Sequence, residues 1–247
     1  MSMTDAQLAA ALAKSAGKIL LEVRAAGVLE DDKALGKAGD HTANQFLIHA
    51  LRHARPDDGL LSEESQDTFE RLAHERVWIV DPVDGTREYG EGRSDWAVHV
   101  ALAIGGAPVI GAVALPGLGL VLRSDRSTPL PPPAQIPRMV VSRTRPAKEA
   151  LAVAKTLGAE LVAMGSAGAK AMAVVRGEAE IYLHTGGQYE WDSCAPVAVA
   201  LAHGLHCSRI DGTPLVYNQP ETYLPDLLIC RAEWADKVLQ LVTEMRE

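Results

Sequence analysis

The chain has few cysteines and no long apolar run. It contains 247 residues and three cysteines, an odd number with neither the C-x-x-C spacing of a zinc site nor a disulfide framework. Cys194, Cys207 and Cys230 are therefore expected to be buried, reduced thiols in a cytoplasmic protein. No stretch approaches the ~20 apolar residues that span a bilayer, and the N-terminus lacks the basic start of a signal peptide. We expect neither secretion nor membrane insertion.

Positive charge is also scarce. The 24 lysines and arginines stand against 32 acidic residues, which leaves a formal net charge of -8. A sequence-independent nucleic-acid binder needs a basic face to replace counterions, so this class is excluded. An anionic small molecule would have to be held locally, by metal ions or by backbone N–H groups. The 47% hydrophobic content allows one or two globular domains, and the expected state is a monomer or a homodimer.

The order of the sequence patterns divides the chain in two. Periodic apolar residues predict two helices and then four strands, at residues 8–23, 46–54, 77–80, 97–104, 109–115 and 118–122. Residues 127–137 contain five prolines, which neither a helix nor a central strand accommodates. Strands and helices alternate beyond them, as is typical of α/β layering. We predict an N-terminal α+β metal-site domain over 1–128, a proline-rich linker over 129–137 and a C-terminal α/β substrate domain over 138–247.

Two aspartates stand three residues apart where the predicted strand 77–80 ends. Asp81 and Asp84, with a rigid proline between them, can converge on hard cations. Gly85 and Thr86 then open the next helix, so their backbone N–H groups could face a phosphate. Alone, an Asp-x-x-Asp-Gly sequence is most often an ordinary turn.

Two further acidic motifs supply oxygen ligands for Mg²⁺. Glu63 lies in Ser-Glu-Glu-Ser, Asp192 lies in Glu-Trp-Asp-Ser, and the main-chain carbonyl of Val83 completes the set. Each acidic motif alone would more often cap a helix. Together with the paired aspartates they suit a two-metal site that neutralises an ester, activates water and stabilises the leaving oxygen. The ordered combination predicts a magnesium-dependent phosphomonoesterase.

These three motifs resemble the signatures of the inositol monophosphatase superfamily of metal-dependent, lithium-sensitive phosphatases. The resemblance covers roughly residues 6–230. It implies a layered α-β-α-β-α sandwich of the inositol monophosphatase and fructose-1,6-bisphosphatase type, within the α/β (α+β) class, and two or three Mg²⁺ ions per site. Residue by residue, it implies metal ligation by Glu63, Asp81, the Val83 carbonyl, Asp84 and Asp192, and a phosphate cradle at Gly85 and Thr86.

The resemblance also implies a water-activating pair. In nucleotidase members an upstream aspartate pairs with the threonine of the D-G-T motif. Here Gln45 stands where that aspartate is common, and Asp40 is the substitute candidate. Asp40, Glu63 and Thr86 form the predicted catalytic set.

Another stretch is similar to the CysQ-type 3'(2'),5'-bisphosphate nucleotidases of that superfamily. Gly165, Ser166 and Lys170 match their G-S-x-x-K sequence, although the stretch is one residue longer here. A cation at Lys170 suits a substrate with a second phosphate, whereas the alternative is a solvated helix lysine. His184 replaces an arginine usual in that group. Glu190 is a candidate for binding a substrate hydroxyl, or for orienting its neighbours.

The implied reaction converts 3'-phosphoadenosine 5'-phosphate, a by-product of sulfate assimilation, to AMP and phosphate. Inositol 1-phosphate and fructose 1,6-bisphosphate are the alternative substrates. A haloacid-dehalogenase-type phosphatase fits poorly, because its aspartates stand two apart near the N-terminus, whereas Asp81 and Asp84 are three apart. A binding-only module for a nucleotide or metal is the non-enzymatic alternative. His99 shows no metal-ligand spacing and receives no role.

Overall fold

The computed structural model describes residues 3–245. The helices in this part are α1 Asp5–Ala25, α2 Asp32–Ala54, α3 Thr86–Gly90, α4 Lys148–Leu157, α5 Ala167–Val175, α6 Glu190–Ala202 and α7 Ala235–Glu244. The strands are β1 Gly59–Ser62, β2 Arg76–Asp84, β3 Ala97–Ile104, β4 Ala107–Leu115, β5 Leu120–Arg123, β6 Arg138–Ser142, β7 Glu160–Met164, β8 Ile181–Tyr189, β9 His206–Ser208 and β10 Tyr223–Cys230.

Two five-stranded sheets alternate with three layers of helices. The strand orders are β1-β2-β3-β4-β5 and β7-β6-β8-β10-β9. Helices α1 and α2 cover the outer face of the first sheet, α5 and α6 lie between the sheets, and α4 and α7 cover the outer face of the second. The predicted α-β-α-β-α sandwich is confirmed.

Strand β2 shows why this stacking requires apolar residues on both faces of a strand. Val77 and Ile79 belong to the core between the sheets, whereas Trp78 and Val80 belong to the core under α1 and α2. Side chains alternate between the two faces of a strand. A strand covered on both sides therefore reads as a continuous apolar run.

Strand β2 continues past the point where the sequence predicts its end. Its register against β3 shifts between Asp81 and Asp84, so that Asp81 pairs with His99 and Asp84 with Ala97. Pro82 has no N–H to donate, and such a residue is accommodated in a strand at a bulge. Because of this bulge, Asp81 and Asp84 both belong to the strand, and the sheet holds them in place.

The proline-rich segment contains no helix or strand within the described chain. It is held against the second half, since Arg231 donates to the Pro131 carbonyl at 2.9 Å and Ala134 N donates to Glu180 at 3.2 Å. Core residues of both halves pack together between the sheets. The division into two domains stays a prediction, and its outermost residues, 1–2 and 246–247, lie outside the described range.

Among residues 3–245, the helices are all too short or too polar to cross a membrane.

Candidate active site

Helix α2 brings an acidic side chain to the start of α3. A Cβ on Gly36 would lie 2.8 Å from Thr86 Cγ2, and one on Gly39 would lie 2.6 Å from Tyr89 Cε1. Glycine at both positions therefore permits the close approach of the two helices. Asp40, one turn beyond Gly36, is buried and within hydrogen-bonding reach of the Thr86 side chain. The two residues of the predicted water-activating pair lie side by side.

Gln45 does not share this position. Asp40 and Asn44, four residues apart on α2, are both buried, whereas Gln45 is exposed. Residues four apart lie on one face of a helix. The structure thus places Asp40, and not position 45, beside Thr86.

Three aspartates from distant parts of the chain converge. Asp81 and Asp84 come from the bulged end of β2, and Asp192 comes from the first turn of α6. One oxygen of each lies within 4.8 Å of the others. Asp81 and Asp84 are buried and Asp192 is half-buried. Carboxylate oxygens at this spacing could hold a hard divalent cation.

Glu63 joins this cluster from the parallel neighbour of β2. It follows β1 directly, its N–H donates to the Val80 carbonyl at 3.3 Å, and its carboxyl group is within hydrogen-bonding reach of Asp81. Asn44 braces the loop, because its side chain accepts from Ser62 Oγ at 2.8 Å and donates to the Glu64 carbonyl at 3.2 Å. The sequence alone gave no reason to single out Asn44.

The carboxylates raise one another's pKa. Burial, and then the charges of Glu63 and Asp84, hold the pKa of Asp81 well above its ordinary value. Burial and Asp84 raise the pKa of Asp192 to about 7. Glu63 is the exposed member of the cluster. Its carboxyl group nevertheless loses part of its hydration to the surrounding protein, and this desolvation, together with the charge of Asp40, raises its pKa to about 7. A cation among these groups would favour their charged forms.

Asp84 differs from its neighbours because it also caps α5. Its carboxylate accepts hydrogen bonds from Ser166 Oγ at 2.5 Å, Ala167 N at 3.0 Å and Gly168 N at 2.5 Å. Burial raises the pKa of Asp84, but the charge of His99 and the hydrogen bond from Ser166 outweigh it and lower the pKa to about 2. Asp84 therefore carries a fixed charge and links the two halves of the chain.

Gly85 and Gly165 are glycines for steric reasons. Gly85 has φ 89°, and a Cβ there would lie 3.1 Å from Ser166 Cβ. A Cβ on Gly165 would lie 2.2 Å from Glu88 Cγ. The Gly165 N–H already donates to Asp95 at 2.7 Å. The close packing of these loops, rather than free N–H groups, accounts for the glycine at 165.

Lys170 is buried, so the solvated-helix alternative is wrong. Its side chain is 5% exposed, and its ammonium group donates to the Gly165 carbonyl and, at 2.6 Å, to the Ser166 carbonyl. The ammonium also lies 5.4 Å from the centre of the Tyr182 ring. Burial lowers its pKa despite the nearby charge of Asp84.

Part of this site lines a cavity of about 250 Å³. Asp84, Asp192 and Lys170 contribute to its wall, together with Arg87 and Arg145. The cavity therefore combines acidic and basic groups, and a bound anion would meet both.

Two arginines in the wall of this cavity have no acidic partner in the part of the chain that the structure describes. Within residues 3–245, no ion pair includes Arg87 or Arg145, although both side chains are exposed. Arg143, two residues before Arg145, instead donates to Glu88 at 2.7 Å. Unpaired guanidinium groups at a cavity are suited to bidentate contacts with phosphate.

Glu190 is not among the residues that line this cavity. It is fully buried, and its carboxylate accepts from the N–H groups of Asn218 and Gln219, both at 2.7 Å. Of the two roles considered for it, orienting its neighbours fits and binding a substrate hydroxyl does not. Asp192 accepts from Tyr189 N at 2.6 Å, so it caps α6 while it joins the aspartate cluster.

Four buried side-chain N and O atoms in the described chain have no hydrogen-bond partner, and all belong to residues in or next to this site. They are Asp40 Oδ1, Asp81 Oδ1, His99 Nε2 and Gln188 Oε1. Buried polar atoms are normally paired, so their concentration here indicates a site shaped for ligands. The Asp81 oxygen, beside two other carboxylates, has the chemistry that a hard divalent cation requires.

Sequence reasoning missed Arg87, Arg145 and Gln188, and it gave His99 no role. Exposed arginines are common, so the sequence carries no signal for the first two. For His99 there was a signal, because a polar residue interrupts an apolar strand that is covered on both faces.

Comparisons with known proteins agree with this geometry. The model of the inositol monophosphatase family matches residues 3–129 and 133–247. A 3'-phosphoadenosine 5'-phosphate phosphatase of Mycobacterium leprae is 49% identical over 98% of this chain and 95% of its own length. CysQ from Bacteroides thetaiotaomicron has a similar structure, with a TM-score of 0.78, 23% identity, and coverage of 92% of this chain and 97% of that one.

Inositol monophosphatase II from Staphylococcus aureus also has a similar structure, with a TM-score of 0.78 and 19% identity over 94% of each chain. At this identity the likeness shows the fold. The family model covers nearly the whole sequence, and the aspartates of two acidic motifs that it spans converge. The chain therefore belongs to the inositol monophosphatase family.

Proposed function

We propose that this chain is a magnesium-dependent phosphomonoesterase that hydrolyses 3'-phosphoadenosine 5'-phosphate to AMP and phosphate. The family is metal-dependent, and the acidic cluster suits a cation. The mycobacterial relatives, of which one is 51% identical over 93% of this chain, carry the name of this activity. A cytoplasmic location, and a monomeric or homodimeric state, stay predictions.

In this proposal the carboxylates hold two or three Mg²⁺ ions. The ligands are Glu63, Asp81, Asp84, Asp192 and the Val83 carbonyl, which also accepts from Thr86 Oγ1 at 3.1 Å. When bound, the ions would neutralise the ester, acidify a water and stabilise the leaving oxygen. The protein supplies the fixed geometry, through the bulge of β2 and the first turn of α6.

In this proposal Asp40 accepts the proton of the attacking water, and Thr86 orients that water. Burial and the charge of Glu64 raise the pKa of Asp40 to about 7, so its carboxylate can accept a proton near neutral pH. Thr86 Oγ1, between Asp40 and the Val83 carbonyl, orients the water. Glu63, whose carboxyl group is within hydrogen-bonding reach of Asp81, is the third residue of the proposed catalytic set.

The observation that carries the choice of substrate is the mixture of charges in one cavity. Asp84 and Asp192 mark the end where the reacting phosphate would meet metal ions, while Arg87, Arg145 and Lys170 offer positive charge in the same cavity. A substrate with a second phosphate satisfies both groups. Solved structures of SaIMPase-II, a protein of similar fold, have 2'AMP or inositol monophosphate bound, so small phosphate esters are ligands of that protein.

A phosphate-release assay tests the proposal. The substrates are 3'-phosphoadenosine 5'-phosphate, adenosine 3'-monophosphate, inositol 1-phosphate and fructose 1,6-bisphosphate, at matched Mg²⁺ and with EDTA as control. We expect the highest kcat/KM for the first and no turnover in EDTA. A preference for either of the last two would overturn the substrate, and turnover in EDTA would overturn the metal dependence. Absence of all turnover would favour the binding-only alternative.

A further inference from the structure

Strand β3 buries one histidine on the face toward the middle helical layer. Val98 and Val100 belong to the core under α1 and α2, whereas Ala97 and Ala101 belong to the core between the sheets. Because side chains alternate along a strand, His99 lies on the same face as the two alanines. Its side chain is 0% exposed.

The imidazole contacts three elements that build the active site. Its Nδ1 lies 3.0 Å from the Trp191 carbonyl, and since a carbonyl only accepts, Nδ1–H donates. Its Nε2 lies 3.2 Å from Asp84 Oδ2, in a direction that forms no good hydrogen bond. A Cβ on Gly168 would lie 2.0 Å from this same Nε2. The ring is thus enclosed by β2, α5 and α6.

We infer that His99 is a positioning residue that sets the separation of Asp84 and Asp192 for a bound cation. One side of the ring touches Asp84, and the other side holds the carbonyl of the residue before Asp192. These two aspartates come from different halves of the chain, so their spacing depends on what lies between them. This inference rests on the proposed metal-dependent function, because positioning matters only if both aspartates bind one centre.

The competing explanation is that His99 merely fills the core. An apolar side chain of similar size would then replace it without effect on the metal centre, at the cost only of the Nδ1–H hydrogen bond to the Trp191 carbonyl. Under the positioning role, the same replacement would leave the fold intact and impair the metal centre. The two explanations therefore differ in metal affinity and agree in stability.

The first experiment measures Mg²⁺ binding by calorimetry, without substrate, for the wild type, His99→Leu and His99→Asn. We expect His99→Leu to weaken Mg²⁺ binding by about 10–100-fold, the usual cost of losing a residue that orients a ligand. Its thermal unfolding in EDTA should stay cooperative, which shows that the fold is intact. His99→Asn keeps an N–H donor near Nδ1 and should recover part of the affinity.

His203→Leu is the matched control, because His203 also contacts a carbonyl, that of Val199 at 2.8 Å, at the other end of α6. It should leave Mg²⁺ affinity unchanged. Unchanged affinity in His99→Leu would overturn the positioning role. If His99→Leu does not fold, His99→Ala, which also lacks the Nδ1 donor, takes its place, and a Mg²⁺ affinity equal to that of the wild type would again overturn the positioning role.

The second experiment tests the contact with α5. Gly168→Ala should lower the melting temperature in the wild type, where the new Cβ meets the imidazole, although helix propensity favours alanine. In a His99→Ala background Gly168→Ala should lower the melting temperature by less. The new Cβ would then have only one close neighbour left, Asp84 Oδ2 at 3.0 Å. Equal losses in both backgrounds would show that the imidazole does not hold α5 in place.

Substrate and positioning can fail separately. If the wild type binds Mg²⁺ and loses affinity in His99→Leu, but releases no phosphate from 3'-phosphoadenosine 5'-phosphate, the proposed substrate fails and the positioning role stands. If it hydrolyses that substrate and His99→Leu binds Mg²⁺ normally, the positioning role fails and the proposed function stands.

Discussion

Two charged groups of residues meet at the cavity, where Asp84 and Asp192 of the first and Arg87, Arg145 and Lys170 of the second line its wall. The carboxylate cluster, formed by Glu63, Asp81, Asp84 and Asp192, is crowded, and three of its four pKa values are raised. The cationic group, formed by Arg87, Arg145 and Lys170, offers two exposed guanidinium groups that have no ion pair in the part of the chain described. The carboxylate cluster is suited to bind cations, and the cationic group is suited to bind an anion. The contrast explains how an acidic protein can bind a highly charged anion.

Neutralising the carboxylate cluster should have the largest effect. Asp81→Asn removes a buried charge whose pKa is raised, so the protein in EDTA should melt at a higher temperature than the wild type. Activity should fall by about 10²–10³-fold or more, because a metal ligand is lost. Phosphate release and thermal melting check the two opposite changes.

Asp125→Asn is the matched control for this variant, because Asp125 pairs with Arg123 at 2.6 Å and lies outside the cavity. Its activity should match that of the wild type. If Asp81→Asn keeps activity within a factor of two, the carboxylate cluster is not a metal centre.

Removing the proton acceptor beside the cluster should come next. Asp40→Asn should lower kcat by about 10²–10⁴-fold, the usual contribution of a general base. Mg²⁺ affinity should change little, since Asp40 is not among the three converging aspartates. Gln45→Ala is the control on the same helix, and it should be silent because Gln45 is exposed. A greater loss from Gln45→Ala than from Asp40→Asn would reverse the assignment.

Breaking the cationic group should discriminate between substrates. Arg145→Ala should lower kcat/KM by about 10–100-fold for 3'-phosphoadenosine 5'-phosphate, as expected for one charge-assisted hydrogen bond. Adenosine 3'-monophosphate, which lacks the second phosphate, should be hardly affected. Arg126→Ala, another exposed arginine outside the cavity, is the control. Equal losses on both substrates would mean that Arg145 does not read the second phosphate.

The smallest effect should come from an uncharged side chain in the wall of the cavity, that of Gln188. Gln188 is buried, donates to Tyr182 Oη at 2.9 Å and leaves Oε1 without a partner. Gln188→Leu should lower kcat/KM by about 10-fold for a substrate whose hydroxyl or amino group bonds to this oxygen. Kinetics with the 2'-deoxy and the inosine analogues identify the donor, because the analogue that lacks it should react equally with both enzymes. If the loss is the same for all three substrates, Gln188 only supports Tyr182.

The repeating layers could be predicted from the sequence, whereas short strands could not. Strand β3 spans the predicted residues 97–104, because a continuous apolar run is a strong local signal. Strands β1 and β9 have four and three residues and were missed, since such short runs resemble loops. The end of β2 was placed too early, because Pro82 reads as a terminator unless a bulge absorbs it.

The site residues that belong to short acidic motifs could be predicted from the sequence. Those whose role depends on which side of an element is buried could not. The acidic motifs identified the residues that converge at Asp81, Asp84 and Asp192. Whether position 40 or 45 faces Thr86 depends on which side of α2 is buried, and glycines at 36 and 39 were the unused signal. The tertiary environment of Glu190, with both oxygens taken by backbone N–H groups, has no local signature.

The core between the sheets contains residues from both halves of the chain. Val77 and Ile79 from the first half pack in one cluster with Ala171 and Val197 from the second. A break in the proline-rich segment would therefore cut the covalent chain and leave that core whole. Two fragments produced separately would each expose a broad apolar face, and such faces seek a partner. Mixed in solution, the halves should reassemble into a nicked enzyme, since Asp84 and Asp192 are brought together by packing and not by the peptide that connects them.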